Sequence, residues 1–127
     1  MKTTRLPERY DCLAPDGSEI RLLGATKRGS MVHCTLPAGK TSLAVAHHGV
    51  EEIWYFLEGQ GQVWRKLGES EEVVDASPGV SLTIPAGAHF QFRNSGDMPL
   101  RFVLMTMPPW PGDEEAYRVA DYWPVRA

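Results

Sequence analysis

Apolar and polar residues alternate along most of this chain in short runs, at 20–23, 31–36, 41–47, 51–57, 62–67, 71–74, 80–84, 90–93 and 100–107. Between the runs lie turn-forming clusters such as Pro37-Ala38-Gly39, Ser77-Pro78-Gly79, Pro85-Ala86-Gly87 and Asn94-Ser95-Gly96-Asp97. Short strands punctuated this often by Gly, Pro, Asn and Ser predict an all-β sandwich or barrel. Helical periodicity is absent until the end. There Pro111-Gly112-Asp113-Glu114-Glu115 predicts one short helix to about Ala120, with Asp113 as N-cap and an acidic first turn. The chain thus divides into an extended arm at 1–19 that ends in the Asp16-Gly17 turn, a barrel at 20–110, and a helix with an aromatic tail at 111–127.

Bulk properties narrow the partners. A chain of 127 residues and 14.1 kDa forms one domain with a core of its own. A net charge of −3, without any long Lys/Arg cluster, argues against nucleic acid or an anionic membrane as partner and favours a small molecule. The N-terminal residues hold no apolar stretch of signal-peptide length and no run is long enough to span a bilayer, so the expected location is the cytoplasm. Cys12 and Cys34 lie outside any paired-cysteine spacing and are expected as free thiols. The arm is expected to pair with a sheet edge or cross to a second subunit. The tail, with Trp110, Tyr117, Tyr122 and Trp123, is expected to pack on the barrel or on that subunit, and together they suggest a homodimer.

The stretch 39–59, GKTSLAVAHHGVEEIWYFLEG, carries the densest polar chemistry. Alternation along a strand puts Val45 and His47 on one face and His48 on the other. Counted along the chain, Gly39, position 45, His47, Glu52 and Gly59 have the spacing of the first cupin motif, and Gly79, Pro85-Ala86-Gly87 and Asn94 resemble the second. The chain therefore resembles the cupin superfamily, which implies a double-stranded β-helix, a jelly-roll barrel. In cupins the two motifs supply three histidines and a glutamate that hold one divalent metal. The resemblance assigns the second histidine to His47 and the glutamate to Glu52. The other two positions fall on Val45 and Phe90, neither of which can ligate. The resemblance implies zinc, manganese, nickel or iron on His47 and Glu52, completed by His89 if its turn bulges or by His33 from the preceding strand. The alternative is a barrel that has lost its metal.

Glu52, Trp54 and Phe56 share a parity and would face the barrel interior, joined by Phe90 and Phe92. Aromatic walls around a few polar groups suit a flat or apolar organic ligand, with Gln62 and Trp64 as neighbours on the next strand; for Phe92 a plain core role is preferred. His47 and Glu52 flank Gly49, where the chain can bend and bring them together as a catalytic acid/base pair. The competing reading is a structural hydrogen-bonded pair. His33 and Cys34 alternate and cannot form a thiol dyad, Glu51 points outward, and Arg93 and Arg101 read as surface charges beside a turn. The expectation is a small cytoplasmic cupin that catalyses isomerisation, elimination or cyclisation of a partly apolar molecule. The alternative is a binding or sensing module without turnover.

Overall fold

The structure is a computed structural model and describes residues 1–125; residues 126 and 127, the end of the expected 111–127 segment, lie outside the described residues. Two antiparallel sheets face each other. The larger joins β1 (Cys12–Leu13), β2 (Glu19–Ala25), β3 (Ser30–Leu36), β10 (Leu100–Met107), β5 (Glu51–Glu58) and β8 (Ser81–Ile84), in that order. The smaller joins β11 (Ala116–Arg118), β4 (Val45–His47), β9 (His89–Asn94), β6 (Gly61–Leu67) and β7 (Ser70–Ala76). Among the described residues no helix is long and apolar enough to cross a membrane.

The strands follow the expected runs with two differences. The run at 41–47 forms a regular strand only from Val45. Residue 41 makes a single bridge to Arg93, while Ser42 and Leu43 donate their amides to Phe92 and Asp16 on different elements. The predicted helix is a single 3-10 turn, Asp113–Glu115, with Gly112 rather than Asp113 at its cap. The backbone turns extended at Ala116 because β11 pairs with the open edge of β4, which offers a ladder of hydrogen bonds that an exposed helix without a buried face could not match.

Inward parity builds the core. Along β5 the odd residues Ile53, Tyr55 and Leu57 are exposed, and Glu52, Trp54 and Phe56 are buried. Trp54 stacks on Phe102 at 4.5 Å and meets Phe92 edge-on at 5.3 Å, and Phe56 leans on Phe102 at 4.7 Å. Such ring pairs add roughly 0.5–1.5 kcal/mol each beyond the area they bury. On the outer face of the larger sheet, the Arg21 guanidinium donates to the carbonyls of Pro7 and Glu8, which ties the N-terminal arm across β2.

The turn from β5 into β6 is closed by two glycines for steric reasons. Gly59 has φ +87°, and a Cβ there would run into the Pro99 carbonyl oxygen and approach Leu100 Cα at 2.9 Å. At Gly61 a Cβ would stand 2.5 Å from the Arg93 oxygen. Gly39 also has positive φ, +75°, but faces open space. Gly59→Ala is therefore expected to destabilise the fold by about 3 kcal/mol or more, combining backbone strain with a clash against immovable backbone, and Gly39→Ala by about 1–2 kcal/mol from strain alone. Chemical denaturation of both variants checks this, and equal losses would contradict the steric account.

Candidate functional site

A cavity of about 330 Å³ opens between the β1–β2 hairpin and the segment that follows β10. This is at the small end of the roughly 300–1,000 Å³ of organic-ligand pockets. His47 from β4, Glu52 and Trp54 from β5, and Phe90 from β9 all line it, and Trp110 from the C-terminal segment lines it too. Alternation accounts for the convergence, since each of the four strand residues lies on the inward face of its strand. The rim is apolar, with Leu13 and Leu22 each about half exposed.

Glu52 is 6% exposed. Its Oε1 accepts one hydrogen bond, from Trp54 Nε1 at 2.9 Å, and its Oε2 has no partner among the described residues. Burial pushes the carboxyl up to about 8; the indole bond opposes this and the nearby Asp16 reinforces it. Glu52 is therefore an un-ionised acid at neutral pH.

His47 is 4% exposed, with its ring edge-on to Phe90 at 5.2 Å and to Trp110 at 5.0 Å. Burial lowers its pKa to about 4, only partly offset by the Glu115 charge and by the Val50 backbone. The contact with Val50 falls short of a hydrogen bond, and Nδ1 is buried without a partner. The imidazole is neutral at pH 7. No hydrogen bond joins it to Glu52 among the described residues, so the two share a cavity without forming the expected direct pair.

The C-terminal segment is latched over this site. Glu115 accepts from the amides of Gly49 and Val50 at 2.5 and 2.6 Å, and these bonds hold its carboxyl below its ordinary value. The His48 amide donates to the Glu115 carbonyl, and Ala116 pairs with His47 in the β11–β4 ladder. His48 itself faces outward beside Tyr117, as alternation requires.

The other candidates lie elsewhere. Phe56 is fully buried deeper in the core and does not reach the cavity. Gln62 and Trp64 have the opposite parity to the buried Val63 and lie on the outer face of the smaller sheet. There the tail covers them: Tyr122 stacks on Trp64 at 5.2 Å, and Arg93, which donates to Gln62, sits 4.4 Å from the Trp123 ring. Gln91 secures that tail, its amide accepting from the Tyr122 and Trp123 backbone and donating to the Ser42 and Trp123 carbonyls. His89 precedes the inward Phe90 without a bulge in the β6–β9 register, so it stays outside the cavity. His33 lies on the outer face of the larger sheet, paired with Arg21 and Val103, and Cys34 beside it faces the cavity.

Sequence reasoning missed Asp16, Cys34 and Trp110 as cavity residues. Asp16 reads locally as a turn former, and Oδ1 does accept from Ser18 N at 2.9 Å and from Ser18 Oγ at 2.6 Å. No local signal reveals that the hairpin carries this turn to the barrel mouth. Burial keeps the Cys34 thiol protonated by pushing its pKa well up.

The metal that a cupin-like motif implies does not fit these residues. Of its four positions two are Val45 and Phe90, the substitutes His89 and His33 lie off the cavity, and among the described residues no three His, Cys, Asp or Glu side chains are grouped to hold an ion. Two donors fall short of the three or four of a tight transition-metal centre.

Comparison with known proteins agrees with this architecture. An uncharacterized protein of Methanocaldococcus jannaschii, MJ1618, is 29% identical over 110 residues, 80% of this chain and 85% of that one. Oxalate decarboxylase of Bacillus subtilis, a protein with Mn(II) centres, matches with a TM-score of 0.73 at 14% identity over 88% of this chain; this chain spans only 30% of that one. PAC13 of Streptomyces, solved as a variant with uridine, matches with a TM-score of 0.71 at 16% identity over 94% of this chain and 92% of that one. At such identities the structural likeness shows the fold alone. Residues 32–106, more than half of the sequence, match the cupin domain model, and with two sheets closed around a lined lumen the chain belongs to the cupin family.

Proposed function

We propose that this cupin binds a small, partly apolar or aromatic organic molecule in the barrel lumen and acts on it by acid/base chemistry, as an isomerase, lyase or cyclase. One observation carries the reading: two ionisable groups on one small cavity are shifted in opposite directions, Glu52 to about 8 and His47 to about 4. Between those limits the lumen offers a carboxylic acid that can donate a proton and an imidazole that can accept one. Environments that push two groups apart in this way let a single pocket supply acid and base at neutral pH. Trp54 holds Glu52 by Oε1 and leaves Oε2 to the ligand, which Trp54, Phe90 and Trp110 would grip. Glu52 would then protonate a developing oxyanion or leaving group while His47 removes a proton from the neighbouring carbon.

A binding or sensing cupin without turnover is the second reading, favoured by the lack of a hydrogen bond between His47 and Glu52 among the described residues. Two further parts of the proposal are a cytoplasmic location, supported by two free cysteines, and a homodimer. The exposed Ile53, Tyr55, Leu57 and Met105 give the dimer an apolar outer face on the larger sheet.

A panel of small aromatic and terpenoid-like metabolites tests the pocket by thermal shift: at least one compound raises Tm, and no shift across the panel would count against a ligand site. For a compound that is turned over, the rate is expected to be bell-shaped in pH, with limbs near pH 4 and 8, and Glu52→Gln should cut it by roughly a hundredfold or more. A bound compound that returns unchanged would leave the sensing reading.

Stability carries the same signature. Because Glu52 is raised from 4.5 to about 8, the penalty for burying its charge is absent below about pH 4.5, and stability is lost as the pH rises to about 8. His47, lowered from 6.5 to about 4, acts oppositely and removes stability as the pH falls through that window. Glu52→Gln should therefore be more stable than the parent chain at pH 9 and should lose that advantage by about pH 4.5, as read from denaturant midpoints. An advantage independent of pH would contradict the buried-acid assignment.

A further inference from the structure

The acid/base reading leaves one group on the cavity unused. Asp16, half-buried on the β1–β2 turn, lines the same space as Glu52. Its Oδ1 is taken by Ser18, and its Oδ2 has no partner among the described residues. The free Oε2 belongs to a glutamate that is more than nine-tenths buried, so the lumen presents two carboxyl oxygens without a protein partner, on groups close enough to act on one another. Neither oxygen is among the buried atoms left without a partner, so both are open to a donor placed in the cavity.

The rest of the lining sharpens the point. No lysine or arginine lines the cavity among the described residues, and its one basic side chain is the neutral imidazole of His47. Asp113 adds a third carboxyl at the mouth. An anionic ligand would meet acids on several sides with no counter-charge, whereas a cation would meet two acceptors and the electron-rich rings of Trp54 and Trp110.

We propose that the ligand is an organic monocation, a protonated amine whose ammonium sits between Glu52 Oε2 and Asp16 Oδ2 and whose apolar or aromatic body packs against Trp54, Phe90 and Trp110. The proposal rests on the lumen being the ligand site, as argued above, and adds the charge of the ligand. The titratable groups that share the cavity with Glu52 are Cys12, Asp16, Cys34 and His47, with Asp113 at the mouth, and none of them is a standing cation at neutral pH. Binding of the ammonium therefore ionises Glu52, whose proton leaves to solvent, so an amine held this way fits the binding reading and not the acid step at Glu52.

Isothermal titration at pH 7 with 2-phenylethylamine, 2-phenylethanol and 3-phenylpropanoate separates charge from shape, since the three share a ring and a similar length. The amine is expected to bind at least about tenfold more tightly than the alcohol, and the carboxylate to bind more weakly than either. Repeating the amine titration in buffers of different ionisation enthalpy should show close to one proton released per ligand, and none for the alcohol. Glu52→Gln should bring the amine-to-alcohol ratio toward one. Asp16→Asn should do the same, and it serves if the first variant fails to fold. If the alcohol binds as tightly as the amine, or the carboxylate binds best, the charge assignment falls and the pocket stands. If none of the three binds and the metabolite panel is also silent, the pocket and the charge assignment fall together.

Discussion

Glu52 is a carboxyl group placed on the inner face of an apolar barrel with a single hydrogen bond from Trp54 to hold it and no cation beside it among the described residues. Ionisation there would expose a bare charge to low dielectric, so the group keeps its proton at neutral pH. Its orientation is inherited from packing. Trp54 stacks on Phe102 and meets Phe90 and Phe92 edge-on, and the indole N–H aimed at Oε1 is only as well placed as that cluster makes it. A core of interlocked rings thus serves two ends, stabilising the barrel and fixing which carboxyl oxygen stays free. The same burial that makes the acid costly to ionise makes it useful as a proton donor.

His47 depends on a different set of contacts. It sits at the end of a strand of only three residues, Val45–His47, which is held on one side by a single registered pair with β9 and on the other by β11. The Glu115 carboxylate over the Gly49 and Val50 amides closes the turn just beyond it, and Trp110 covers its ring. The C-terminal segment therefore supplies part of the cavity wall; Trp110 helps bury the imidazole and so favours its neutral form, while the Glu115 charge works the other way. Farther along, Gln91 fixes the tail through four hydrogen bonds and so anchors this closure to β9.

Much of the barrel was legible from alternation and turn residues. The run at 100–107 matches β10 end to end, and the motif glycines stand at turns where the backbone takes positive φ. Parity along β5 also sufficed to choose Glu52 over Glu51 and to put Trp54 beside it. Two kinds of information were not local. Gln62 and Trp64 could be assigned to a face only through the pairing of Val63 with Phe92, a contact between strands nearly thirty residues apart, and that register puts them under the tail. Asp16 and Trp110 reach the lumen only because the N-terminal hairpin and the C-terminal segment meet at its mouth, and nothing in their neighbouring residues encodes that meeting. The helix at Asp113 failed for a related reason: its start signals are real, but the free edge of β4 competes for the residues that follow.

The account turns on the protonation of one side chain, which carbon-13 NMR of carboxyl-labelled glutamate reads directly, with Glu52→Gln identifying the resonance. The prediction is a Glu52 carboxyl that titrates near pH 8, apart from every surface glutamate. A Glu52 resonance that titrates at the ordinary value of 4.5 would mean the carboxyl is ionised at neutral pH, and the lumen would then hold no acid to donate.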